Sequence, residues 1–437
     1  MILLLYGAAG AGKSAIAYTL AEICEKYGLL LASFFFGKTA VDRNNINRFV
    51  ATISYQIALA IPTARRYIEE VVEHNPRIFD QSIDTQISRL VIEPLQSLHS
   101  TGFDFTDSPC VIIIDGLDEC QGKDIQSGLV KSLAAAFCQS PLRIRLLIAS
   151  RPEVYLQSTF NSPPVQSHLT RLALSDEYSP EKDIYRFLED SFKKIRREHP
   201  LTSYIPSSWP PADVLPELTR KSSGHFIFAS TTVKYVGGDP HQLPHRRLDV
   251  IRRLQPPKGE KDMPYGELNS LYHHVFSDVD DLEAVKQILG VLIIINPTLS
   301  DHGADCIDSI NAMDNFLFSE PGETEACLSQ LASVIECDES GHISILHASL
   351  SDFLLDPSRS HQLYLCRESV LGDCVALGLR HMRQPVLFYD SVLFYLINSF
   401  LIADLQHVVF QIGGITALLL HTALMLAHSA PLNFNRN

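Results

Sequence analysis

The sequence predicts an α/β fold in which a parallel sheet is flanked by helices in the first part of the chain. Three short apolar runs support this prediction, at residues 2–6, 110–115 and 143–150, and helical patterns lie between them. Continuous apolar runs of this length are typical of strands that are buried on both faces. Strands that alternate with helices favour a parallel sheet whose ligands bind at the carboxyl ends of the strands.

The order of the elements follows from the spacing of the apolar residues. Residues 14–26 carry apolar side chains at helical spacing, and Gly28 just beyond them is a candidate C-terminal cap. Residues 29–36 form a continuous apolar run, which predicts a strand buried on both faces. Further helical patterns lie at 46–57, 63–74, 85–98 and 129–137. A kink is expected at Pro94, because proline removes a helical hydrogen bond.

A glycine-rich loop separates the first strand from the first helix. Residues 7–14 have the spacing G-x-x-x-x-G-K-S in the strand–loop–helix context of a phosphate-binding loop. Glycines let successive backbone N–H groups point inward at a helix N-terminus, where they bind an anion. Lys13 is expected to reach the β- and γ-phosphates, and the Ser14 hydroxyl to ligate Mg²⁺. The predicted nucleoside triphosphate contacts are Gly7, Ala8, Ala9, Gly10, Ala11, Gly12, Lys13, Ser14 and Ala15.

Three carboxylates lie at the end of the run at 110–115 and in the residues that follow it. The run ends in Asp115, which at the end of a strand facing the phosphate loop can hold Mg²⁺, usually through its water. Asp118 and Glu119 come directly after it, and either could orient and deprotonate a water for attack on the γ-phosphate. The alternative is a helix N-cap with acidic first-turn residues, which interact favourably with the helix dipole.

An arginine closes the apolar run at 143–150. Arg151 stands directly before Pro152, at the carboxyl end of the predicted strand. An arginine at this position can contact the γ-phosphate and report its presence, or stabilise charge in the transition state. The alternative is a surface arginine at the start of a loop.

Composition limits the possible classes and partners. The 437 residues suggest two or three domains, and 46% hydrophobic with 20% charged residues indicates a folded protein. The net charge of −14 argues against broad attraction to nucleic acid or anionic lipid, so neither nucleic acid nor a membrane is expected as a partner. Nine cysteines without a C-x-x-C pair indicate free thiols in a reducing compartment, and a cytoplasmic location is expected.

Two apolar stretches near the C-terminus, 392–403 and 412–427, have polar residues between them. Each is shorter than the ~20 residues that a membrane span needs. Buried helices are therefore favoured over a membrane hairpin.

The segments GAAGAGKSAIA, VIIIDGLDEC and LLIASRPE together resemble a NACHT domain, especially that of fungal NLR-like proteins. NACHT domains belong to the STAND class of signal-transducing P-loop NTPases. Residues 223–229 resemble the helical-domain motif that follows this core, and 344–353 resemble a motif near the end of the winged-helix domain. The resemblance covers residues 1–360.

The resemblance implies a domain order. A P-loop NTPase core with a parallel sheet flanked by helices is expected at 1–178, and a helical domain at 179–255. A winged-helix-like domain follows at 256–360, and an all-helical C-terminal segment at 361–437, whose truncation is left open.

The resemblance also implies a nucleotide-gated switch that binds ATP or ADP with Mg²⁺. In related proteins a histidine of the winged-helix domain touches the β-phosphate of ADP, so His347 is the corresponding candidate; the alternative is a core histidine. Exchange of ADP for ATP would open a closed monomer and permit homo-oligomerisation, and slow ATP hydrolysis would reset or bias the switch. Proteins of this class act in self/non-self recognition and regulated cell death.

The sequence departs from the family pattern at several points. The chain starts at the first core strand and shows no repeat array after residue 360, so a truncated gene model, a fragment or a regulatory stub is expected. Ala348 and Leu350 replace Pro and Phe of fungal relatives, and Phe226 stands where some relatives place a proline against the adenine.

Other functions stay open. The principal alternative is a non-catalytic scaffold that keeps ADP permanently bound. A small-molecule kinase should show an arginine-rich lid, whereas the acidic turn favours water as the acceptor. A GTPase would need an N-K-x-D motif, which the sequence lacks.

Overall fold

A five-stranded parallel sheet forms the centre of the N-terminal part of the chain. In the order β2-β3-β4-β1-β5, its strands are β1 (Ile2–Tyr6), β2 (Leu30–Phe35), β3 (Val111–Asp115), β4 (Arg145–Ser150) and β5 (Leu169–Ala173). The structure, a computed structural model, describes residues 1–382 except 39–42, 104, 106–108, 139–141, 143, 175–179, 257–264 and 302–305. The sheet confirms the predicted α/β fold.

Eight helices accompany the sheet in this part of the described chain. They are α1 (Lys13–Lys26), α2 (Phe49–Ala60), α3 (Pro62–His74), α4 (Ile83–Ile87), α5 (Glu93–Ser100), α6 (Lys123–Cys138), α7 (Val154–Phe160) and α8 (Pro163–Gln166). Short 3₁₀ turns lie at Ile78–Asp80 and Leu117–Glu119. The helices lie on both faces of the sheet. Alternate residues of each strand point to opposite faces and so meet different helices. Ile113 packs with α1, whereas Ile112 and Ile114 pack with α2 to α8.

The two edge strands differ from the sequence prediction. β2 was expected to be buried on both faces, but its Leu30 and Phe35 are only half-buried where they meet the α1 side. β5 was not predicted, because its sequence Leu-Thr-Arg-Leu-Ala includes exposed polar residues and makes no apolar run. Both strands lie at an edge of the sheet, where one side has no neighbouring strand to bury it.

The helical pattern predicted at 85–98 contains a π-helical turn directly before α5, in which Pro94 lies. Residues Ser88–Ile92 form this turn between α4 and α5, and Pro94 lies in the first turn of α5. Proline has no N–H to donate to the preceding helical turn, and a π-helical turn accommodates such a break without ending the helix.

The described chain beyond residue 180 is mostly helical. Its helices are α9 (Pro180–Glu198), α10 (Val214–Ser222), α11 (Phe226–Gly237), α12 (Pro244–Arg253), α13 (Gly266–Ser277), α14 (Leu282–Gly290), α15 (Asn296–Asp301), α16 (Ile310–Leu317), α17 (Glu323–Ser329), α18 (Ala348–Leu354), α19 (Pro357–Ser360) and α20 (Arg367–Met382). Shorter turns lie at Thr202–Tyr204, Val291–Ile295 and His361–Leu363. An antiparallel pair, β6 (Ile335–Cys337) and β7 (Ile343–Ile345), follows α17. One apolar cluster runs through these elements.

One stretch of the described helices, Leu282–Leu299, is long and apolar enough to cross a membrane. However, 61% of it is buried inside the protein, as in a core helix of a soluble fold. The apolar stretches at 392–403 and 412–427 lie outside the described residues, as does much of the predicted C-terminal segment at 361–437. The other domain boundaries stay predictions.

Candidate functional site

The glycine-rich loop connects β1 to α1, and it has the backbone that its glycines permit. Gly10 and Gly12 have φ angles of 76° and 90°, in the left-handed region that residues with a side chain rarely adopt. The candidate contacts at 7–15 therefore lie in one loop and in the first turn of α1. A helix N-terminus that follows such a loop presents backbone N–H groups to an anion.

Lys13 lies at the centre of a cluster of charged side chains. Its Nζ donates to the carbonyl oxygens of Gly7 and Ala8, at 2.8 and 2.9 Å. Burial lowers the pKa of Lys13, and Arg151 acts in the same direction, whereas the surrounding carboxylates, Asp118 foremost, oppose the shift. The ammonium group thus lies close both to the acidic turn and to the arginine at the end of β4.

Asp115 ends β3 beside the phosphate loop. Its side chain is buried, with 4% exposed, and it forms a hydrogen bond with Ser14. Its Oδ1 has no hydrogen-bond partner among the described residues, and burial raises the pKa of the carboxyl group. A buried carboxylate oxygen without a donor needs an explanation such as an ion.

Ser14 and Asp115 therefore fit a magnesium site. Within the described part of the chain, no group of three or more His, Cys, Asp or Glu side chains is arranged to hold a metal ion. Mg²⁺ does not need such a cage, because it is usually held by one or two carboxylates together with water and substrate phosphates.

The acidic turn is oriented by a glycine. Gly116 has a φ angle of 67°, and a Cβ built on it would lie 2.8 Å from the carbonyl oxygen of Phe36. This close approach brings the loop after β2 against the turn, so that the backbone N–H of Lys38 donates to Glu119 Oε2 at 3.0 Å. Residues Leu117–Glu119 form a separate 3₁₀ turn, and α6 begins only at Lys123. These acidic residues therefore lie in a 3₁₀ turn and not in the first turn of α6.

Burial and the neighbouring Asp118 raise the pKa of Glu119 to about 7. A carboxylate that titrates near neutral pH is suited to accept a proton from water. Asp118 has a different environment, because both of its oxygens contact Arg151. The Arg151 backbone N–H donates to Oδ1 at 2.8 Å, and the Nε lies 3.1 Å from Oδ2. Asp118 is thus engaged by Arg151, whereas Glu119 accepts a backbone hydrogen bond from Lys38.

Arg151 is a partner of two carboxylates rather than a surface residue. Besides Asp118, its guanidinium donates from Nη1 to Asp352 Oδ2, and its side chain is only 20% exposed. The other Asp352 oxygen, Oδ1, lies 3.3 Å from Lys38 Nζ. Sequence reasoning assigned no role to Lys38 or to Asp352. The one available signal was that Asp352 falls within the segment 344–353, which was singled out for its histidine.

His347 lies at the start of α18, near the phosphate loop. Its Nδ1 accepts the backbone N–H of Ser349 at 3.0 Å and so caps the helix. Burial lowers the pKa of His347 to about 4, and the positive charges of Arg151 and Lys13 contribute. The ring is neutral at pH 7, and because Nδ1 accepts a hydrogen bond, its proton lies on Nε2.

The helical part of the chain also contacts the phosphate loop through α11. A Cβ built on Gly10 would overlap Ile227 Cγ2 and lie 2.9 Å from Ile227 Cβ. A Cβ on Gly12 would lie 3.7 Å from Phe226 Cδ2, which is ordinary contact. Phe226 in turn meets Phe187 of α9 edge-on, with ring centroids 6.2 Å apart. The loop is thus packed against Phe226 and Ile227 of α11.

Comparison with known proteins supports the P-loop NTPase-like fold of the N-terminal part. Residues 1–151 match the family model described as Nephrocystin 3, N-terminal. A search of curated proteins found no match.

The chain is also similar to solved structures of ORC proteins. The Aeropyrum pernix ORC2 protein in its ADPNP-ADP complexes has a TM-score of 0.28 and 12% identity, covering 88% of this chain and 89% of that chain. The Aeropyrum pernix ORC1 protein in complex with DNA has a TM-score of 0.34 and 14% identity, covering 83% and 88%. Drosophila ORC bound to DNA has a TM-score of 0.32 and 11% identity, covering 78% and 85%.

The expectation that nucleic acid is excluded as a partner is corrected by this comparison. Two of these similar structures are complexes with DNA. The expectation rested on the net charge of −14, which describes the whole chain and not any single surface. The charge of a whole chain does not decide whether one surface binds nucleic acid, and the exclusion is withdrawn.

Proposed function

We propose that this protein is a nucleotide-dependent switch of the NACHT type, which binds ATP or ADP with Mg²⁺ and hydrolyses ATP slowly. The observation that carries the proposal is the meeting of two distant parts of the chain at one charged cluster. Lys13 begins α1 and Arg151 directly follows β4, whereas His347 precedes α18 and Asp352 lies within it. A nucleotide in this cluster would touch both parts.

Each group has a role that follows from its chemistry. The backbone of residues 7–14 cradles the phosphates, and Lys13 is their point charge. Ser14 and Asp115 hold Mg²⁺, which when bound neutralises charge on the phosphate oxygens. Glu119 accepts the proton of the attacking water, and Asp118 orients Arg151. His347 donates from Nε2 to the β-phosphate, as the resemblance implies.

The switch requires that the nucleotide binds with different affinity to two arrangements of the helical part. Moving an equilibrium from 1:99 to 99:1 takes about 5.5 kcal/mol of differential binding. Contacts from α18 that depend on the nucleotide are a source of this difference. The ATP-bound form would homo-oligomerise in the cytoplasm, and the biological setting would be self/non-self recognition or regulated cell death.

A second function is favoured by one observation. Arg151 is already bound by Asp118 and Asp352, so the arginine that would sense a γ-phosphate is occupied. A protein fixed in this arrangement would be an ADP-locked scaffold without turnover, or a regulatory fragment of a longer NLR-like protein.

The test begins with the nucleotide that co-purifies with the full chain, identified by chromatography after acid release. Binding and turnover of ATP with Mg²⁺ are then measured for the wild type, Lys13→Ala and Glu119→Gln. We expect Lys13→Ala to lose bound nucleotide. Glu119→Gln should keep it while turnover falls by ~10²–10⁴-fold, the range for loss of a general base.

The possible results separate the two functions. Turnover that depends on Glu119 supports the switch. Tightly bound ADP with neither exchange nor turnover in the wild type supports the scaffold. Absence of both co-purified nucleotide and ATP binding refutes both functions.

A further inference from the structure

We propose that Asp352 selects a nucleoside diphosphate over a triphosphate, because its carboxylate occupies the two cations that a γ-phosphate would need. This inference rests on the proposed function, since it takes the charged cluster to be a nucleotide site. It adds a specificity-determining residue that lies outside the phosphate loop and the acidic turn.

The two carboxylate oxygens of Asp352 contact two different cations, which follow different strands of the sheet. Oδ2 accepts from Nη1 of Arg151, which directly follows β4. Oδ1 lies 3.3 Å from Nζ of Lys38, in the loop after β2. Both contacts span long sequence separations, of 201 and 314 residues. The pairing therefore exists only when α18 lies over the sheet.

These two cations lie on the side of the cluster where catalysis on the terminal phosphate would occur. The backbone N–H of Lys38 donates to Glu119, the candidate base. The guanidinium of Arg151 contacts Asp118 in the same acidic turn, and its charge acts on Lys13. A water held by Glu119 and the phosphate that it attacks must lie within hydrogen-bonding reach of each other. Lys38 and Arg151 therefore border the γ-phosphate position.

A carboxylate and a phosphate compete for such donors. Arginine binds either anion through parallel N–H···O hydrogen bonds of the same geometry, so one guanidinium edge serves one anion at a time. Two anions at the same place also repel each other. Burial alone would raise the pKa of Asp352, but Arg151 and Lys38 hold it below its ordinary value, so the side chain is charged at neutral pH.

The helix that carries Asp352, α18, is held in place by contacts of its other residues. The Tyr272 hydroxyl bonds to Ser349 Oγ at 2.8 Å, and His347 caps the helix. Phe353, the next residue, is fully buried against the Tyr272 ring. A triphosphate whose γ-phosphate takes these two cations therefore has to break the Asp352 pairs, whereas a diphosphate leaves them intact.

The experiment measures the affinities of the full chain for fluorescent ADP and for a fluorescent non-hydrolysable ATP analogue, both with Mg²⁺. The variants are Asp352→Asn, which removes the charge at nearly constant shape, and Asp352→Glu, which keeps it. Glu283→Gln is the matched control, because it removes one carboxylate from a side chain that is 81% exposed on α14. Asp352→Ser replaces Asp352→Asn if the latter does not fold, as judged by circular dichroism.

We expect Asp352→Asn to shift the ratio of ATP-analogue to ADP affinity at least tenfold toward the triphosphate, with ADP affinity changed less than threefold. Asp352→Glu and Glu283→Gln should keep the wild-type ratio. An unchanged ratio in Asp352→Asn, or an equal fall in both affinities, overturns the role of Asp352 and leaves the nucleotide site intact. Failure of the wild type to bind either nucleotide refutes the proposed function and this inference together.

Discussion

The contact between the phosphate loop and α11 leads to a specific prediction for Gly10→Ala. Gly10 has a φ angle of 76°, so any side chain there is strained by the backbone conformation alone. The new methyl group would also overlap Ile227 Cγ2 and lie 2.9 Å from Ile227 Cβ. Isoleucine is branched at Cβ and has one strongly preferred χ1 rotamer in a helix, so it cannot turn away easily.

The magnitude is the sum of two effects. The left-handed backbone costs about 1–2 kcal/mol for a residue with a side chain. Overpacking against Ile227 adds about 1–3 kcal/mol, so the free energy of unfolding should fall by about 2–5 kcal/mol in total. Gly12→Ala is the matched control. Its φ angle of 90° imposes similar strain, but the nearest atom, Phe226 Cδ2, lies at an unstrained 3.7 Å. Gly12→Ala should therefore lower the free energy of unfolding by about 1–2 kcal/mol.

A double-mutant cycle isolates the steric part. Ile227→Ala removes the overlapping methyl group and on its own costs about 2–5 kcal/mol, because Ile227 is nearly buried. Combined with Gly10→Ala, it should cost about 1–3 kcal/mol less than the sum of the single changes. The same combination with Gly12→Ala should be additive.

The assay is urea unfolding followed by two probes. Circular dichroism measures the loss of secondary structure throughout the protein. Fluorescence measures the exposure of Trp209, the single tryptophan, which is buried against Phe192 in the helical part. The reasoning is refuted if Gly10→Ala and Gly12→Ala lose the same stability. It is also refuted if the free energies lost in Ile227→Ala and Gly10→Ala simply add in the double variant. Either result would mean that α11 does not press on the loop in solution.

Three further predictions concern the charged cluster. ATP turnover should rise with pH through about 7, because Glu119 must be ionised to accept a proton, and Glu119→Gln should remove this dependence in a pH–rate profile. Asp115→Asn should abolish the enhancement of nucleotide affinity by Mg²⁺ without lowering stability, as measured by titration calorimetry with and without the metal. Arg151→Ala should lower the free energy of unfolding at pH 7 by up to ~3 kcal/mol, because Asp118 loses its partner and Asp352 keeps only Lys38. Since the pKa of Asp352 is lowered in the fold, that loss should shrink as the pH falls through this lowered value.

Much of the sheet and the phosphate loop could be predicted because their signals are local. A buried parallel strand is a continuous apolar run, as in β3 and β4, and the glycine spacing of residues 7–14 is contiguous. The observed helix boundaries differ from the predicted ones by a few residues. For example, α2 begins at Phe49, whereas the predicted helix begins at residue 46. β5 was missed because two of its five residues, Thr170 and Arg171, are exposed. An edge strand of this kind resembles a loop in sequence.

The candidate site was predictable only in part, because its electrostatics depend on residues that are distant in sequence. Asp118 and Glu119 are adjacent carboxylates, and no sequence pattern distinguishes them as bases. The fold separates them by pairing both oxygens of Asp118 with Arg151, while burial raises the pKa of Glu119 to about 7. Asp352 gave no signal of its own, because a single aspartate on a short helix has no defined partner until Lys38 and Arg151 are placed beside it.

The Asp352 pairing also bears on the choice between a switch and a scaffold. Of its two ion pairs, the one with Lys38 is partly exposed and contributes at most about 1 kcal/mol, and the more buried one with Arg151 contributes at most ~3 kcal/mol. Two such pairs fall short of the roughly 5.5 kcal/mol that would hold one arrangement at 99:1 against the other. The pairing can therefore bias the resting arrangement but not lock it alone. A scaffold would need further contacts that do not depend on the nucleotide, such as the packing of Ile227 on Gly10. Because that packing does not involve the nucleotide, the helical part can move at α18 while α11 stays against the loop.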